Sequence, residues 1–186
     1  MTEPRVPMLS PTDALTAAEA IDVPSAMAAL SVYRILLRHP PLAQALTGLL
    51  QVLLFRGKLD ARLRELVIMR IGWMTGSEYE WTQHWNVSMR LGLDPDDVVA
   101  VRDWESSDRF GDAERAVLQA TDETLRDGAI SDATWRACEQ HVGGHEELLE
   151  LVAAIGNWRL FSSLLRSLEI PLEEGVKPWP PDGQAP

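Results

Sequence analysis

The chain has 186 residues, of which 46% are apolar and 24% charged, as in an ordinary folded protein with room for one domain. A net charge of -11 without a Lys/Arg cluster excludes a surface for nucleic acid or anionic membranes. The single cysteine, Cys138, excludes an intrachain disulfide, a Cys-x-x-Cys redox pair and a Cys-rich zinc site.

The N-terminal segment, residues 1–24, is interrupted by four prolines and predicts an extended arm with at most one short helix near 13–21. It has no apolar core of the kind that a signal peptide needs, and no stretch of the chain approaches the length of a membrane span. The expected location is therefore the cytoplasm, without contact with a membrane.

Helical periodicity dominates from residue 25 onwards, and proline, glycine and capping residues set the boundaries. The predicted helices are 25–38, 41–55, 60–76, 77–91, one that starts at Asp94-Pro95, 112–128, 131–143 and 145–168. No segment shows the alternation of a β-strand, and the sequence contains no repeat. The sequence therefore predicts an all-α fold, with a single-domain helical bundle over 25–172 and an irregular, proline-rich tail over 173–186.

The stretch SEYEWTQHW, residues 77–85, places reactive side chains on a predicted core face. Helical spacing puts these residues on one face: Ser77, Glu80, Trp81, His84, Val87, Ser88 and Leu91. Glu80 and His84 are one turn apart and can form a hydrogen bond, and burial would shift the pKa of each. The alternative is a surface pair that contributes only about 0.3 kcal/mol.

Glu65, on the preceding helix, is the one charged residue on a face that is otherwise apolar. A buried carboxylate without a partner is costly, so Glu65 needs a hydrogen-bonding group inside the protein. His84 on the next helix is the predicted partner. The alternative is a structural salt bridge within the helix, with Arg62 or Arg70.

The stretch LDARLRELVIMRIGWMTGSEYEWTQHWNVSMRLGL resembles the core of the carboxymuconolactone decarboxylase and alkylhydroperoxidase D superfamily. Its markers are the Arg64-Glu65 pair, the YEWTQH run and Gly92-Leu93, and the resemblance covers residues 30–173. The YEWxxH form is that of a non-redox branch. The resemblance implies an alkylhydroperoxidase D-like helical bundle that forms dimers, trimers or hexamers.

The redox branch of that superfamily uses a Cys-x-x-Cys-x-x-x-His motif with a glutamate on the preceding helix. The histidine position falls on His84 and the glutamate on Glu65, but the two cysteine positions fall on Ser77 and Glu80. Without a thiolate to attack and a thiol to resolve the product, a thiol peroxidase cycle is not expected. Cys138 is expected to be a core residue.

The decarboxylase side of the superfamily acts on a lactone acid without a metal or an organic cofactor. The resemblance therefore implies a cofactor-free lyase in which His84 transfers the proton and Glu65 or Glu80 orients its ring. Tyr79 is a candidate donor to an oxyanion, and Trp81 a substrate contact. Ser77 and Ser88 complete the predicted substrate-binding set.

Several alternatives stay open at this stage. The same groups would serve lactone isomerisation, dehydration or cyclisation, and the substrate is known only as a small organic acid or lactone. A catalytically silent member kept for ligand binding or assembly is the second class of function. His141 and His145 flank Gly143-Gly144, so no metal site is predicted there. Helices 41–55 and 145–168 carry more apolar surface than one domain needs, which predicts a homo-oligomer.

Overall fold

A computed structural model describes residues 3–186, and within that range the fold is entirely helical, with no strand. The helices are α1 (Pro11–Glu19), α2 (Ser25–Ala28), α3 (Ser31–Leu36), α4 (Pro40–Gln51), α5 (Ala61–Thr75), α6 (Glu78–Arg90), α7 (Pro95–Ala100), α8 (Asp112–Asp127), α9 (Asp132–His141) and α10 (His145–Ser167). A π-helical turn, Val52–Arg56, follows α4, and a 3₁₀ turn, Val101–Asp103, follows α7. The all-α prediction is therefore confirmed.

Side-chain caps explain why the predicted helix starts lie close to the observed ones. The Asp60 carboxylate accepts hydrogen bonds from the backbone N–H groups of Arg62 and Leu63 and so begins α5. Gly76 ends the same helix at φ 63°, a left-handed conformation that glycine adopts without a steric penalty. Ser10 caps α1 in the same way, and Pro11 takes its first position.

The predicted helix 25–38 is wrong as a single element. Leu30 has an extended ψ of 140°, so the segment is divided into α2 and α3. The predicted helix 41–55 ends as an α-helix at Gln51 and continues as the π-helical turn. Neither break has a proline or glycine at the point where it occurs, and periodicity alone therefore did not reveal them.

The chain packs as two compact units, and the first comprises the described part of Met1–Arg56 together with Leu164–Val176. Arg34 Nε donates to the Leu9 carbonyl oxygen at 2.8 Å, and Arg38 Nε donates to that of Pro7. These bonds connect the irregular segment before α1 with Arg34, in α3, and with Arg38, which follows α3. The proposed division into an arm (1–24), a domain (25–172) and a tail (173–186) stays a prediction.

The second unit comprises Gly57–Ser163 together with Lys177–Pro186. Its core cluster consists of Leu66, Met69, Trp81, Trp85, Leu93, Val98, Val101, Trp104, Phe110, Leu118 and Trp179. A buried ion pair crosses it, because Arg70 donates two 2.7 Å hydrogen bonds to Asp122 on α8. Such a paired guanidinium positions α5 against α8 without leaving a buried charge uncompensated.

Residues 177–186 have irregular backbone and turns, yet they pack closely on α6. The Trp81 indole N–H donates to the Pro180 carbonyl oxygen at 2.7 Å, and the Trp179 backbone N–H donates to the Thr82 hydroxyl at 3.2 Å. Arg102 holds Asp182 through two hydrogen bonds of 2.7 and 3.0 Å. Thr82 is buried under this segment.

Helix α10 is, on length and composition alone, apolar enough to cross a membrane. The expectation that no stretch approaches such a length was therefore too strict. Half of its most apolar window is buried inside the protein, which is the behaviour of a core helix. The cytoplasmic location stays a prediction.

Candidate functional site

Helices α5 and α6 bring Glu65 and His84 together, because they approach each other closely at Gly72. A Cβ atom at Gly72 would lie 3.1 Å from the backbone nitrogen of Trp81, so a larger residue would push the helices apart. His84 Nδ1 lies 2.7 Å from Glu65 Oε2, and the carboxylate is fully buried. The predicted contact between these two residues is confirmed.

The alternative salt bridges of Glu65 do not form. Arg62 is bound to Asp97 and Glu114, and Arg70 is bound to Asp122. The partner of the second Glu65 oxygen is instead Arg64, whose Nε donates to Oε1 at 3.1 Å. Sequence reasoning missed this contact, because adjacent side chains on a helix do not normally face each other.

Trp158, on α10, contacts the other nitrogen of the His84 ring. The indole Nε1–H donates to His84 Nε2 at 3.1 Å, and the two rings meet edge to face at 85° with centroids 5.6 Å apart. A carboxylate only accepts hydrogen bonds and an indole N–H only donates them. The hydrogen bonds therefore assign the neutral ring its proton on Nδ1 and leave Nε2 as the acceptor.

Glu80 lies one helical turn before His84, with its Oε2 atom 3.6 Å from His84 Nε2. Burial raises the pKa of Glu80 to about 7, with His84 lowering it and Glu65 raising it. Burial alone lowers the pKa of His84, but the charge and hydrogen bond of Glu65 and the charge of Glu80 outweigh it, and the pKa is raised. We call Arg64, Glu65, Glu80, His84 and Trp158 the acid–base cluster.

Access to the acid–base cluster is uneven. Glu65 has no exposed surface, whereas the side chains of Glu80 and His84 are 7% and 11% exposed. A small molecule would therefore reach Glu80 or His84 before Glu65. Glu65 can act only through the imidazole ring.

Four residues of the second unit have buried side-chain polar groups without any hydrogen-bond partner among residues 3–186, namely Ser77, Ser88, Asn157 and Ser162. The hydroxyl oxygens of Ser77 and Ser88 are unpaired, and both residues lie on the α6 face that carries Glu80 and His84. Both amide atoms of Asn157, the residue before Trp158, are also unpaired. Buried polar atoms of this kind require an explanation, since each is costly to leave unsatisfied.

Trp81 has a different environment from the one predicted. Its ring is fully buried against those of Trp73 and Trp179, with centroids 5.4 and 6.1 Å away, and its N–H is bound to Pro180. The Arg102 guanidinium lies 4.8 Å from the Trp81 ring centroid. These contacts support a packing role for Trp81. Tyr79, on the same helix, is also buried.

Two other features lie outside the acid–base cluster. A cavity of about 390 Å³ is lined by Trp104, Arg115, His141 and their neighbours, none of which belongs to the cluster. Burial raises the pKa of the Cys138 thiol to about 11, and the thiol donates to the Ala116 carbonyl oxygen. Among residues 3–186, no group of three or more His, Cys, Asp or Glu side chains could hold a metal ion.

Comparison with known proteins identifies the fold. Residues 40–123 match the carboxymuconolactone decarboxylase family. A peroxidase-related protein from Ralstonia eutropha JMP134, described as an alkylhydroperoxidase AhpD core, is 14% identical with a TM-score of 0.76, covering 95% of each chain. A peroxidase-related protein from Silicibacter sp. TM1040 is 14% identical with a TM-score of 0.75, covering 95% of this chain and 97% of its own.

A third solved structure is that of a variant of the debrominase Bmp8 in complex with 2,3,4-tribromopyrrole. It is 16% identical to this chain with a TM-score of 0.72, and the alignment covers 94% of this chain and 92% of the debrominase. No curated protein sequence matches the chain significantly. At these identities the solved structures share the fold, and the chemistry has to be argued from the residues present.

Proposed function

We propose that the chain is a cofactor-free enzyme of the carboxymuconolactone decarboxylase and alkylhydroperoxidase D type, acting on a small lactone or conjugated carboxylic acid. The match of residues 40–123 to the carboxymuconolactone decarboxylase family and the shared fold support this proposal. The proposed reaction is a decarboxylation, or a related isomerisation or cyclisation, driven by acid–base chemistry. The observation that carries the proposal is the 2.7 Å contact between the fully buried Glu65 and His84. A positioned imidazole beside a buried carboxylate is a standard arrangement for moving a proton at neutral pH.

In the proposed mechanism, loss of CO₂ leaves an electron pair that moves into a conjugated carbonyl of the substrate. The enzyme then has to return one proton to carbon. Glu65 holds the imidazole through Nδ1, while His84 Nε2 and the Glu80 carboxyl share the proton that is delivered. The raised pKa of Glu80, about 7, supports this role, because a group that titrates near neutrality can both give and take a proton.

The unpaired Ser77 and Ser88 hydroxyls support a substrate-binding role for this face of α6. A hydroxyl can donate to a carboxylate or a carbonyl oxygen of the substrate, and the bond would remove the penalty of burying it unsatisfied. Such donors would also stabilise an oxyanion as charge develops on it. Tyr79 remains a candidate donor to an oxyanion.

The Bmp8 relative supports catalysis as a property of this fold, since that protein is described as a debrominase. Its name says nothing about the substrate of this chain. The absence of sulfur at the Ser77 and Glu80 positions still argues against thiol peroxidase chemistry.

The proposal is tested with a panel of small lactone acids and conjugated carboxylic acids, following CO₂ release and product formation without added cofactor. His84→Gln and Glu65→Gln should each lower kcat by about 10²–10⁴-fold while the fold is kept. The matched control is Cys138→Ser, which should leave turnover unchanged, because that thiol is buried and protonated. Turnover that survives in both variants would overturn the proposal, and binding without turnover would favour the silent, ligand-binding alternative.

A further inference from the structure

The Trp158 indole occupies the one nitrogen of His84 that can accept a proton. Its Nε1–H lies 3.1 Å from His84 Nε2, while the 2.7 Å contact with Glu65 holds the Nδ1 proton on the other side of the ring. Trp158 is itself 1% exposed on α10, so its indole is held by packing. In the neutral state, therefore, neither ring nitrogen is free.

Protonation of His84 is incompatible with this hydrogen bond. The imidazolium carries a hydrogen on both nitrogens, so the Trp158 N–H would then point at another N–H, and two donors cannot share a bond. The nearby acceptor is Glu80, whose Oε2 lies 3.6 Å from the same nitrogen. A small movement of either side chain would bring that distance into hydrogen-bonding range.

We infer that Trp158 is a positioning residue that controls the protonation of His84, so that the ring takes up a proton on Nε2 only as Trp158 releases that atom and Glu80 accepts the new N–H. The proton forms one N–H bond at the Nε2 lone pair, and the ring gains one positive charge. The hydrogen bond from Trp158 breaks, and one from His84 to Glu80 forms.

The charged groups around the ring determine the balance between these two states. On α5, the Glu65 carboxylate favours the charged ring and the Arg64 guanidinium opposes it. On α6, Glu80 favours the charged ring when it is itself ionised. On α10, the Trp158 N–H stabilises the neutral ring, because it donates to the lone pair that a proton would occupy.

Only the role of this proton exchange in catalytic turnover rests on the proposed function. A substrate proton that leaves for His84, or a proton that His84 returns to carbon, has to pass through Nε2. Each proton transfer would then change the partner of that atom between Trp158 and Glu80. Glu80, the more accessible neighbour, is the group that can pass the proton onwards.

The first experiment needs no variant and no substrate. Nitrogen NMR of the unmodified protein is recorded from about pH 5 to about pH 9, following the His84 ring nitrogens and the tryptophan indole N–H signals. We expect a single proton on Nδ1 of the neutral ring, and an indole signal of Trp158 that shifts with the same midpoint as His84. The Trp135 indole, on α9, should not follow that titration. A Trp158 signal that stays constant while His84 titrates would overturn the inference.

The second experiment removes the donor. Trp158→Phe should raise the titration midpoint of His84, because the neutral ring loses the bond that stabilises it, whereas Trp135→Phe should leave the midpoint unchanged. A midpoint that is unchanged or lowered in Trp158→Phe would overturn the inference; if that variant does not fold, the titration of the unmodified protein decides. Neither result depends on turnover, so a failure of the proposed function in His84→Gln is recognised separately.

Discussion

At the scale of single residues, Glu80 is a group whose proton depends strongly on folding. It is 5% exposed, on the helix that also carries His84. Burial raises its pKa from 4.5 to about 7, so the folded protein binds this proton more tightly than the unfolded chain does. Such a carboxyl can exchange a proton near neutral pH, but its ionised form lowers the stability of the folded protein.

Glu80→Gln should therefore change how stability depends on pH. Below about pH 4.5 the Glu80 carboxyl is protonated in both states, and as pH rises through about 7 the folded protein loses stability. The raised pKa of His84 acts in the same direction, since its contribution is lost as pH rises through the folded value. Glutamine does not ionise. The free energy of unfolding of Glu80→Gln, relative to that of the wild type, should therefore increase between pH 5 and pH 8 by up to roughly 3 kcal/mol.

Urea unfolding at the two pH values measures this difference. Glu78→Gln is the control, because Glu78 is an exposed acid on the same helix and its replacement should have a small effect at both pH values. If Glu80→Gln is relatively less stable at pH 8 than at pH 5, the buried, protonated Glu80 is the wrong description.

At the scale of elements, α6 is held from two sides in the second unit. Its start packs against α5 at Gly72, and residues 177–186 cover Trp81 and Thr82. Trp179, from that irregular segment, belongs to the core cluster. The segment thus acts as part of the core although it has no regular secondary structure.

Trp179→Ala should destabilise the second unit by about 3–5 kcal/mol, since it removes a buried indole from a packed aromatic cluster. The matched control is Trp135→Ala on α9, where the side chain is only partly buried and the loss should be clearly smaller. Chemical denaturation followed by circular dichroism gives both values. Equal losses in the two variants would show that the segment contributes little to the core.

At the scale of the whole molecule, the notable feature is the apolar surface left on two helical regions. Phe55, in the π-helical turn after α4, is 74% exposed, and Leu149, on α10, is 70% exposed. Other large apolar residues with substantial exposure on these regions are Leu42, Leu49, Val52, Val152 and Leu160. Large exposed apolar areas are unusual for a monomer and are typical of contacts between subunits.

We therefore predict a homo-oligomer, a dimer at least, in which such surfaces are buried between copies. Light scattering should give a mass at least twice the 20.7 kDa of the chain at micromolar concentration. Phe55→Ser and Leu149→Ser should shift the distribution towards smaller species, because each removes apolar area from the surface. A monomer in the unmodified protein would exclude the prediction.

The contacts around His84 illustrate which parts of the structure the sequence could predict. The helix ends follow from local caps such as Asp60, and the contact with Glu65 follows from two faces on consecutive helices. The Trp158 contact joins residues 74 positions apart, and no local pattern marks it. The face that Trp81 shares with His84 predicts a substrate contact, but a helical face does not identify the neighbours that bury a residue, which here are Trp73 and Trp179.

Residues 177–186, which complete the core of the second unit, come last in the chain, and this order has a consequence for synthesis. A ribosome that has delivered α5 and α6 has delivered both Glu65 and His84, but neither Trp158 nor Trp179. The nascent chain can form the acid–base pair long before it can occupy His84 Nε2 or bury Trp81, because domains begin to fold from the N-terminal side. For that interval the growing chain lacks Trp179 and Pro180, the residues that cover the Trp81 ring and bind its indole N–H in the folded protein.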